Sequence, residues 1–390
     1  MEFDFTPEQR MIVDTARKIG AAFGPHYWRE KDHNKSFPAE MWQAICDAGL
    51  AGVAIPAEFG GSGLGMLEMA LVIETLVAGG AGSTLAQIFM ITPIFGGVTV
   101  SRFGSAATKA SLLPRIVSGR IHCCMALTEP DAGSNSLAIK TFATQDGNGW
   151  RLNGRKIWIT GVEVAEKMLI VARTRKLEEV AKKTEGISLF LIDVARQGVS
   201  HAPIEKLGTN TIASSNVFFD DVRLDAEDLI GTLHHGWGQL LDVLNTERIV
   251  TTAGLVGTVE LAVRMAVDYA GQRKVFDGKP IGAYQGLQFP LAQAHAESEC
   301  ARLMNYRAAW SYDQGLPYGK EANIAKLIAA QACSAATERA MQTMGGMGYA
   351  KESHLERLWR DCRLFRFAPV SEEMTLNFIA QHGLGLPRSY

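Results

Sequence analysis

The spacing of hydrophobic residues changes twice along this chain, and that double change constrains its fold more than any other feature. From Thr6 to about Gly119 apolar side chains recur at helical intervals, as in PAEMWQAICDAGL and MLEMALVIETLVAGG, with glycine and proline between segments. Near Ile121 the interval shortens to two: HCCMALTE, KTFATQ, GWRLNGRKIWIT, KMLIVART, ISLFLID and SNVFFDDVRL alternate as half-buried strands do. After GTLHHGWGQ the helical interval returns, in runs from 237 to 271, 285 to 314, 319 to 344 and 352 to 363. A chain of 390 residues exceeds what one hydrophobic core normally serves. The order predicts an α+β multidomain protein, with a helical unit over 1–121, a β unit over 122–231 and a second helical unit over 232–390. Within the β unit, Asn153-Gly154 has the pattern of a type I′ hairpin turn, and the charged TRKLEEVAKKTEG is expected as a solvated loop or short helix.

Lys+Arg and Asp+Glu nearly cancel, 39 against 41, so no basic excess speaks for nucleic acid. The stretch MEFDFTPEQRMIVDTARKIG carries acids early and reads as an amphipathic helix, not a signal or transit peptide. No run reaches the roughly eighteen uninterrupted apolar residues of a membrane span. Six cysteines (46, 123, 124, 300, 333, 362) lack a C-x-x-C pair or histidines at metal spacing. They point to a reducing, cytoplasmic compartment and away from zinc.

Four segments carry residue types suited to a ligand. ALTEPDAGSNS (126 to 136) is a turn rich in Gly, Ser and Asp leaving a strand, where backbone N–H groups and hydroxyls can meet a ligand. In KIWITG, alternation puts Trp158 and Thr160 on one face and Ile159 on the other, an indole and a hydroxyl fit to flank a flat heteroaromatic ring. In GQRKVFDGKPIGAYQGLQF, Arg273, Phe276 and Gln285 bracket a Gly/Pro turn, and a planar guanidinium suits a diphosphate. MQTMGGMGY (341 to 349) ends a helix in paired glycines. Each alone also reads as ordinary structure: a turn, a core tryptophan, a surface arginine, a helix cap. The loop pair His234-His235 reads as solvated, since it lacks partners at metal-ligand spacing.

Together and in this order, the segments resemble the acyl-CoA dehydrogenase family. The resemblance spans nearly the whole chain, through LTEPDAGS, WIT, the KLG and FFDDVRL close of the β unit, the Arg-x-x-Phe segment, QTMGGMGY and RLWRDCRLFR. It implies that family's fold, an N-terminal helical domain, a middle β-barrel-like domain and a C-terminal four-helix bundle, in a dimer or tetramer with FAD at a subunit interface. Leu127, Thr128 and Ser134 match the turn, and Trp158 and Thr160 the strand, beside the flavin; Ser134 also matches a substrate contact. Arg273, Phe276, Gln285, Gln342 and Gly346 match residues that hold the diphosphate and adenosine half across the interface. Ser371 and Glu373 fall where further cofactor contacts occur, and Asp277 looks inserted after Phe276 relative to the common pattern. The implied reaction is α,β-dehydrogenation of an acyl-CoA thioester, with electrons passed to an electron-transfer flavoprotein.

Such a reaction needs a carboxylate facing the α-carbon and donors on the thioester oxygen. Many relatives carry the carboxylate in a Tyr-Glu-Gly-Thr segment soon after Arg-Asp-x-Arg; counted from RDCR (360 to 363), that position is Pro369. Proline neither abstracts a proton nor donates an N–H. Glu372 and Glu373 are displaced from it by several ångströms even in a compact helix. The subgroup containing isovaleryl- and long-chain acyl-CoA dehydrogenases carries its base on another helix, in a Glu-Arg pair before small residues, and LLDVLNTERIVTTAGLVG puts Glu247-Arg248 there. The resemblance thus implies Glu247 as the base, Asn245 as a pantetheine contact and Arg248 as a brace beside the substrate. Burial is expected to raise the Glu247 pKa. Two alternatives stay open: a same-fold flavoprotein catalysing an elimination or a different oxidation, motivated by Pro369, and a non-enzymatic acyl-CoA-binding scaffold.

Overall fold

The structure is a computed structural model that describes residues 4–276 and 278–388. The insertion expected at Asp277 lies outside them. Thr6 opens the first helix, Pro7–Ala22: its hydroxyl accepts from Gln9 N at 3.2 Å while the Gln9 side chain accepts from Thr6 N at 3.0 Å. Helices Pro25–His33, Ala39–Asp47 and Met66–Leu76 follow, then a long apolar helix over Thr84–Phe103, then Ala106–Val117. The long helix widens in its middle turns around Pro93, which offers no N–H to the ladder. Trp28, Met41, Trp42, Ile45 and Phe89 fill this unit, and Val243, Ile249, Val250 and Ala253 of the helix Gly236–Gln272 enter the same core. The N-terminal unit therefore packs directly on the segment that carries Glu247. Thr84–Phe103 and Gly236–Gln272 are each long and apolar enough to cross a membrane, but 94% and 78% of their apolar windows are buried in protein. Burial on nearly all sides accounts for that composition.

Eight strands make up the middle unit: β1 Cys123–Ala126, β2 Phe142–Asp146, β3 Gly149–Thr160, β4 Lys167–Arg173, β5 Ile187–Asp193, β6 Val199–Pro203, β7 Ser214–Leu224 and β8 Leu229–Ile230. The sheet order is β6-β7-β3-β2-β4-β5-β8, with β1 paired parallel to β4. The hairpin turn expected at Asn153-Gly154 is elsewhere: β2 and β3 close through Gly147-Asn148, with Asp146 opposite Gly149. Asn153 and Gly154 lie inside β3, where the register to β7 shifts between Leu152 and Gly154. Gly154 has φ 149°, and a Cβ there would meet Thr141 Oγ1 at 2.5 Å. The Asn153 side chain accepts from Asp221 N at 2.9 Å. The dipeptide builds a bulge because β7 offers pairing partners along most of β3. The charged segment after β4 is a loop with one short turn at Leu177–Glu179, in line with expectation.

The C-terminal unit packs four helices, Gly236–Gln272, Gln285–Asp313, Gly319–Met344 and Glu372–Leu384, the third touching each of the others. The α, β, α order read from the sequence is the order observed. Asp361, in the helix Leu355–Cys362, ties the three units together. Its carboxylate accepts from Thr84 Oγ1 at 2.8 Å, from Arg357 Nη1 at 2.8 Å and from the backbone of Thr209. Arg357 in turn donates to the carbonyls of Gly80 and Ala81.

Candidate active site

β1 ends in the turn bearing Leu127 and Thr128, and hydrogen bonds fasten this turn to β3. Thr128 O accepts from Ile157 N at 2.9 Å, and Leu127 O from Lys156 Nζ at 2.8 Å. Lys156 is buried and also pairs with Glu129 Oε1 at 2.9 Å, while Glu129 accepts from Thr141 N at 2.9 Å and Lys140 N at 2.6 Å. Burial pushes the Glu129 carboxyl up, but Lys156 and these amides outweigh it and hold it below its usual value. The register to β7 shifts again between Lys156 and Ile159, and Trp158 has φ 63°. This second bulge turns Lys156 inward and the indole outward, where Trp158 is 54% exposed. Ile159 is buried, and Thr160 places its hydroxyl 3.1 Å from Ser214 Oγ. The structure thus brings Leu127, Thr128, Trp158 and Thr160 together, with Ser134 exposed on the continuing loop. The Glu129–Lys156 brace was not anticipated: strict alternation puts Lys156 on the face of Trp158, and only the bulge between Lys156 and Ile159 separates the two.

The second group lies on the surface. Arg273 follows the last residue of Gly236–Gln272, and Phe276, at φ 48°, is 99% exposed in the hairpin beyond it. Gln285, Gln342 and Gly346 are exposed as well, Gln342 just before Gly345 ends its helix at φ 58°. Among the described residues no hydrogen bond links these five to the Trp158 group. Ser371 caps the last helix, accepting from Met374 N at 3.3 Å, and Glu373 is exposed beside it.

Glu247 stands in the middle of the long helix and is 4% exposed. Its carboxyl makes no hydrogen bond or ion pair with any described residue, and burial pushes it up to about 8, against the opposing pull of Arg248 and then Lys326. Arg248 is committed elsewhere: its Nη1 donates to Leu244 O at 3.2 Å and to Asn245 Oδ1. Asn245 edges a cleft of about 1070 Å³ lined also by Leu64, Arg102, Asp242, Tyr312 and Tyr318.

Pro369 is exposed in the segment after Arg363–Arg366. Lys326, fully buried in Gly319–Met344, spans that segment: Nζ donates to Phe365 O at 2.8 Å and to Val370 O at 2.6 Å. Burial pulls Lys326 down to about 8, with Glu372 and Glu247 favouring its charge and Arg248 and Arg366 opposing it. The sequence reading missed Lys326; its signal is a lone cation in the small-residue run ANIAKLIAA. His234 braces its loop, with Nδ1 2.8 Å from Thr174 Oγ1 and its backbone N–H on Ser188 Oγ at 2.8 Å. Among the described residues no cluster of His, Cys, Asp or Glu side chains has a metal-binding arrangement.

Three family profiles, described as the N-terminal, middle and C-terminal domains of acyl-CoA dehydrogenase, match residues 6–120, 124–222 and 234–384. Acyl-CoA dehydrogenase FadE12 of Mycobacterium tuberculosis is 42% identical over 372 residues, covering 95% of this chain and 94% of that protein. The glutaryl-CoA complex of glutaryl-coenzyme A dehydrogenase superposes with a TM-score of 0.95 at 29% identity, over 100% of this chain and 98% of that one. The FAD complex of PigA gives 0.93 at 28% identity, over 99% and 100% of the two chains.

Proposed function

The chain belongs to the acyl-CoA dehydrogenase family of oxidoreductases, and from that premise we propose that it is an FAD-dependent enzyme converting an acyl-CoA thioester to the 2-enoyl-CoA, with Glu247 as the base. The observation that carries this reading is the state of Glu247: buried, raised to about 8, and without a protein donor on its carboxyl. A carboxyl of raised proton affinity is the better base towards a weak carbon acid.

The residues suit FAD. Trp158 presents an exposed indole beside the braced Leu127-Thr128 turn, and Phe276 is an exposed ring next to Arg273, surfaces that a flat ring system and a diphosphate would cover. Gln285, Gln342 and Gly346 would complete the adenosine half from a second copy of the chain, and Ser134, Ser371 and Glu373 would add contacts. The protein would then be a homo-oligomer, a dimer or tetramer. When bound, FAD accepts the hydride released from the substrate β-carbon, and an electron-transfer flavoprotein would take the electrons onward.

The chain's own work is to orient the thioester and remove the α-proton. Pantetheine would enter along the cleft beside Asn245, with Arg248 held out of an ion pair with Glu247 by its bonds to Leu244 and Asn245. A direct cation on Glu247 would lower its basicity; Lys326, tied to two carbonyls, instead favours ionisation from a distance and leaves the oxygens free. Pro369 offers no N–H to the thioester oxygen. The Val370 N–H, one residue on, donates to no described residue and would be free to substitute. The six free cysteines suit a cytoplasmic setting.

The test is anaerobic mixing of the yellow protein with saturated acyl-CoAs of straight, branched and ring-bearing chains. Bleaching of the flavin by at least one, lost in Glu247→Gln while FAD stays bound, supports the reading; full bleaching in that variant rejects the base. Pro369 favours a second reading, the same flavoprotein fold performing an elimination or a different oxidation. A holoprotein inert to the whole panel would select it.

A further inference from the structure

Where the Glu247 helix crosses Thr84–Phe103, the buried Ser83 Oγ, Gln87 Oε1 and Thr251 Oγ1 have no partner among the described residues; Arg248 Nε, beside Glu247, has none either. Buried hydroxyls and amides are almost always satisfied, so each such atom calls for a physical reason. Thr251 is the most telling. On the same helix Thr246 donates to Val243 O, Thr252 to Arg248 O and Thr258 to Gly254 O, the usual resort of a threonine inside a helix. Thr251 does not turn its hydroxyl back to the Glu247 carbonyl.

Ser83, Gln87 and Thr251 surround one helix crossing. Gly254 approaches the other helix so closely that a Cβ on it would come within 2.4 Å of Ala86 Cβ and 3.9 Å of Ser83 Cα. Thr251 precedes Gly254 by about one turn, and Gln87 follows Ser83 by about one turn, so these side chains flank the contact. Glu247 lies one turn before Thr251 and on the same face, about 40° away around the helix. Leu85, Ala86, Ile88 and Phe89 are 0% exposed, whereas Gln87 and Met90 keep 7% and 8% of their surface accessible. Those two residues are spaced by about one turn.

On the reading that Glu247 is the base, we propose that Ser83, Gln87 and Thr251 form a polar subsite for the far part of the acyl group, and that the preferred substrate carries a hydroxyl or carbonyl there in place of a plain alkyl end. One helical turn separates Thr251 from Glu247, about 6 Å of rise, so the polar group sits on the order of four or five bonds beyond the α-carbon. The subsite offers two hydroxyls, which donate or accept, and an amide oxygen, which accepts. A substrate hydroxyl satisfies the amide oxygen, and either a hydroxyl or a carbonyl satisfies the serine and threonine. A methyl group leaves all three unpaired.

The matched pair 6-hydroxyhexanoyl-CoA and heptanoyl-CoA differs by a hydroxyl against a methyl and tests this directly. In the holoenzyme the hydroxy compound is expected to have a kcat/KM at least about ten-fold higher. The double variant Gln87→Leu, Thr251→Val, which keeps side-chain volume, is expected to reverse that preference and to melt no lower than the wild type when unliganded. Preference for heptanoyl-CoA in the wild type, or a ratio unchanged by the double variant, overturns the subsite. Binding read as a rise in Tm separates the two readings. If neither compound reduces the flavin but the hydroxy compound still gives the larger rise, lost in the double variant, the subsite stands and the dehydrogenation reading falls. Equal rises in both proteins overturn the subsite.

Discussion

Two regions of this molecule each bury a glutamate near a buried lysine and put the pair to opposite use. In the β unit, Lys156 reaches Glu129 at 2.9 Å, two amides complete the carboxylate's shell, and the Glu129 pKa is held down. In the helical unit, Lys326 donates to Phe365 O and Val370 O, no ion pair with Glu247 forms, and the Glu247 carboxyl rises to about 8. The first arrangement fixes a turn. The second withholds the partner, so the carboxyl keeps its affinity for a proton. Burial raises both carboxyls; Lys156 and two amides outweigh it at Glu129, and no hydrogen bond of that kind offsets it at Glu247.

The comparison breaks most visibly in rates. Glu247→Gln is expected to slow flavin reduction by about 10²–10⁴-fold with FAD retained, measured by rapid mixing. Glu129→Gln acts on the fold instead: leaving the Lys156 charge buried and uncompensated costs about 3–5 kcal/mol, measured by urea unfolding. The two sites also differ in the sign of their pH dependence. The folded-state pKa of Glu129 is lowered, so its contribution to stability is present above the ordinary carboxylate range and is lost as pH falls through the lowered value. For Glu247 the folded-state pKa is raised from 4.5 to about 8, so its contribution is full below 4.5 and is lost as pH rises through 8. Melting curves from pH 5 to 9 should therefore show Glu247→Gln gaining on the wild type with rising pH, by an amount on the order of a few kcal/mol at the alkaline end. Glu129→Gln should show no such gain.

The smallest effect is expected at Lys326. It faces Glu247 and Arg248 on the long helix, Arg366 on the turn before Pro369, and Glu372 on the last helix. Lys326→Met removes a cation that favours the ionised base, so the rate should fall a few-fold at pH 7 and recover by pH 9. Loosening of the Phe365–Val370 segment alone would depress the rate equally at every pH.

The α, β, α order and the position of Glu247 were legible because both are local: periodicity needs only neighbours in sequence, and the Glu-Arg pair stands among residues that also mark the helix. Asn153-Gly154 was misread for the opposite reason. Its dipeptide satisfies a tight turn, yet the distant β7 pairs through it, and a bulge results. The partners of Lys156 and Lys326 are hidden for the same reason. Nothing near either in sequence reveals that one will meet a carboxylate 27 residues away and the other two carbonyls 39 and 44 residues away. At Pro369 the sequence shows that the position offers neither a carboxylate nor an N–H, and only the fold reveals that Lys326 holds that segment in place.

The most direct test of the account is the rate of anaerobic flavin reduction by a reactive acyl-CoA, followed from pH 5 to 10 in the wild type and in Glu247→Gln. The wild-type rate is expected to climb to a plateau with a midpoint near 8, with no comparable phase in the variant. A wild-type profile already level at pH 6, or a variant that reduces its flavin at the wild-type rate, would contradict it.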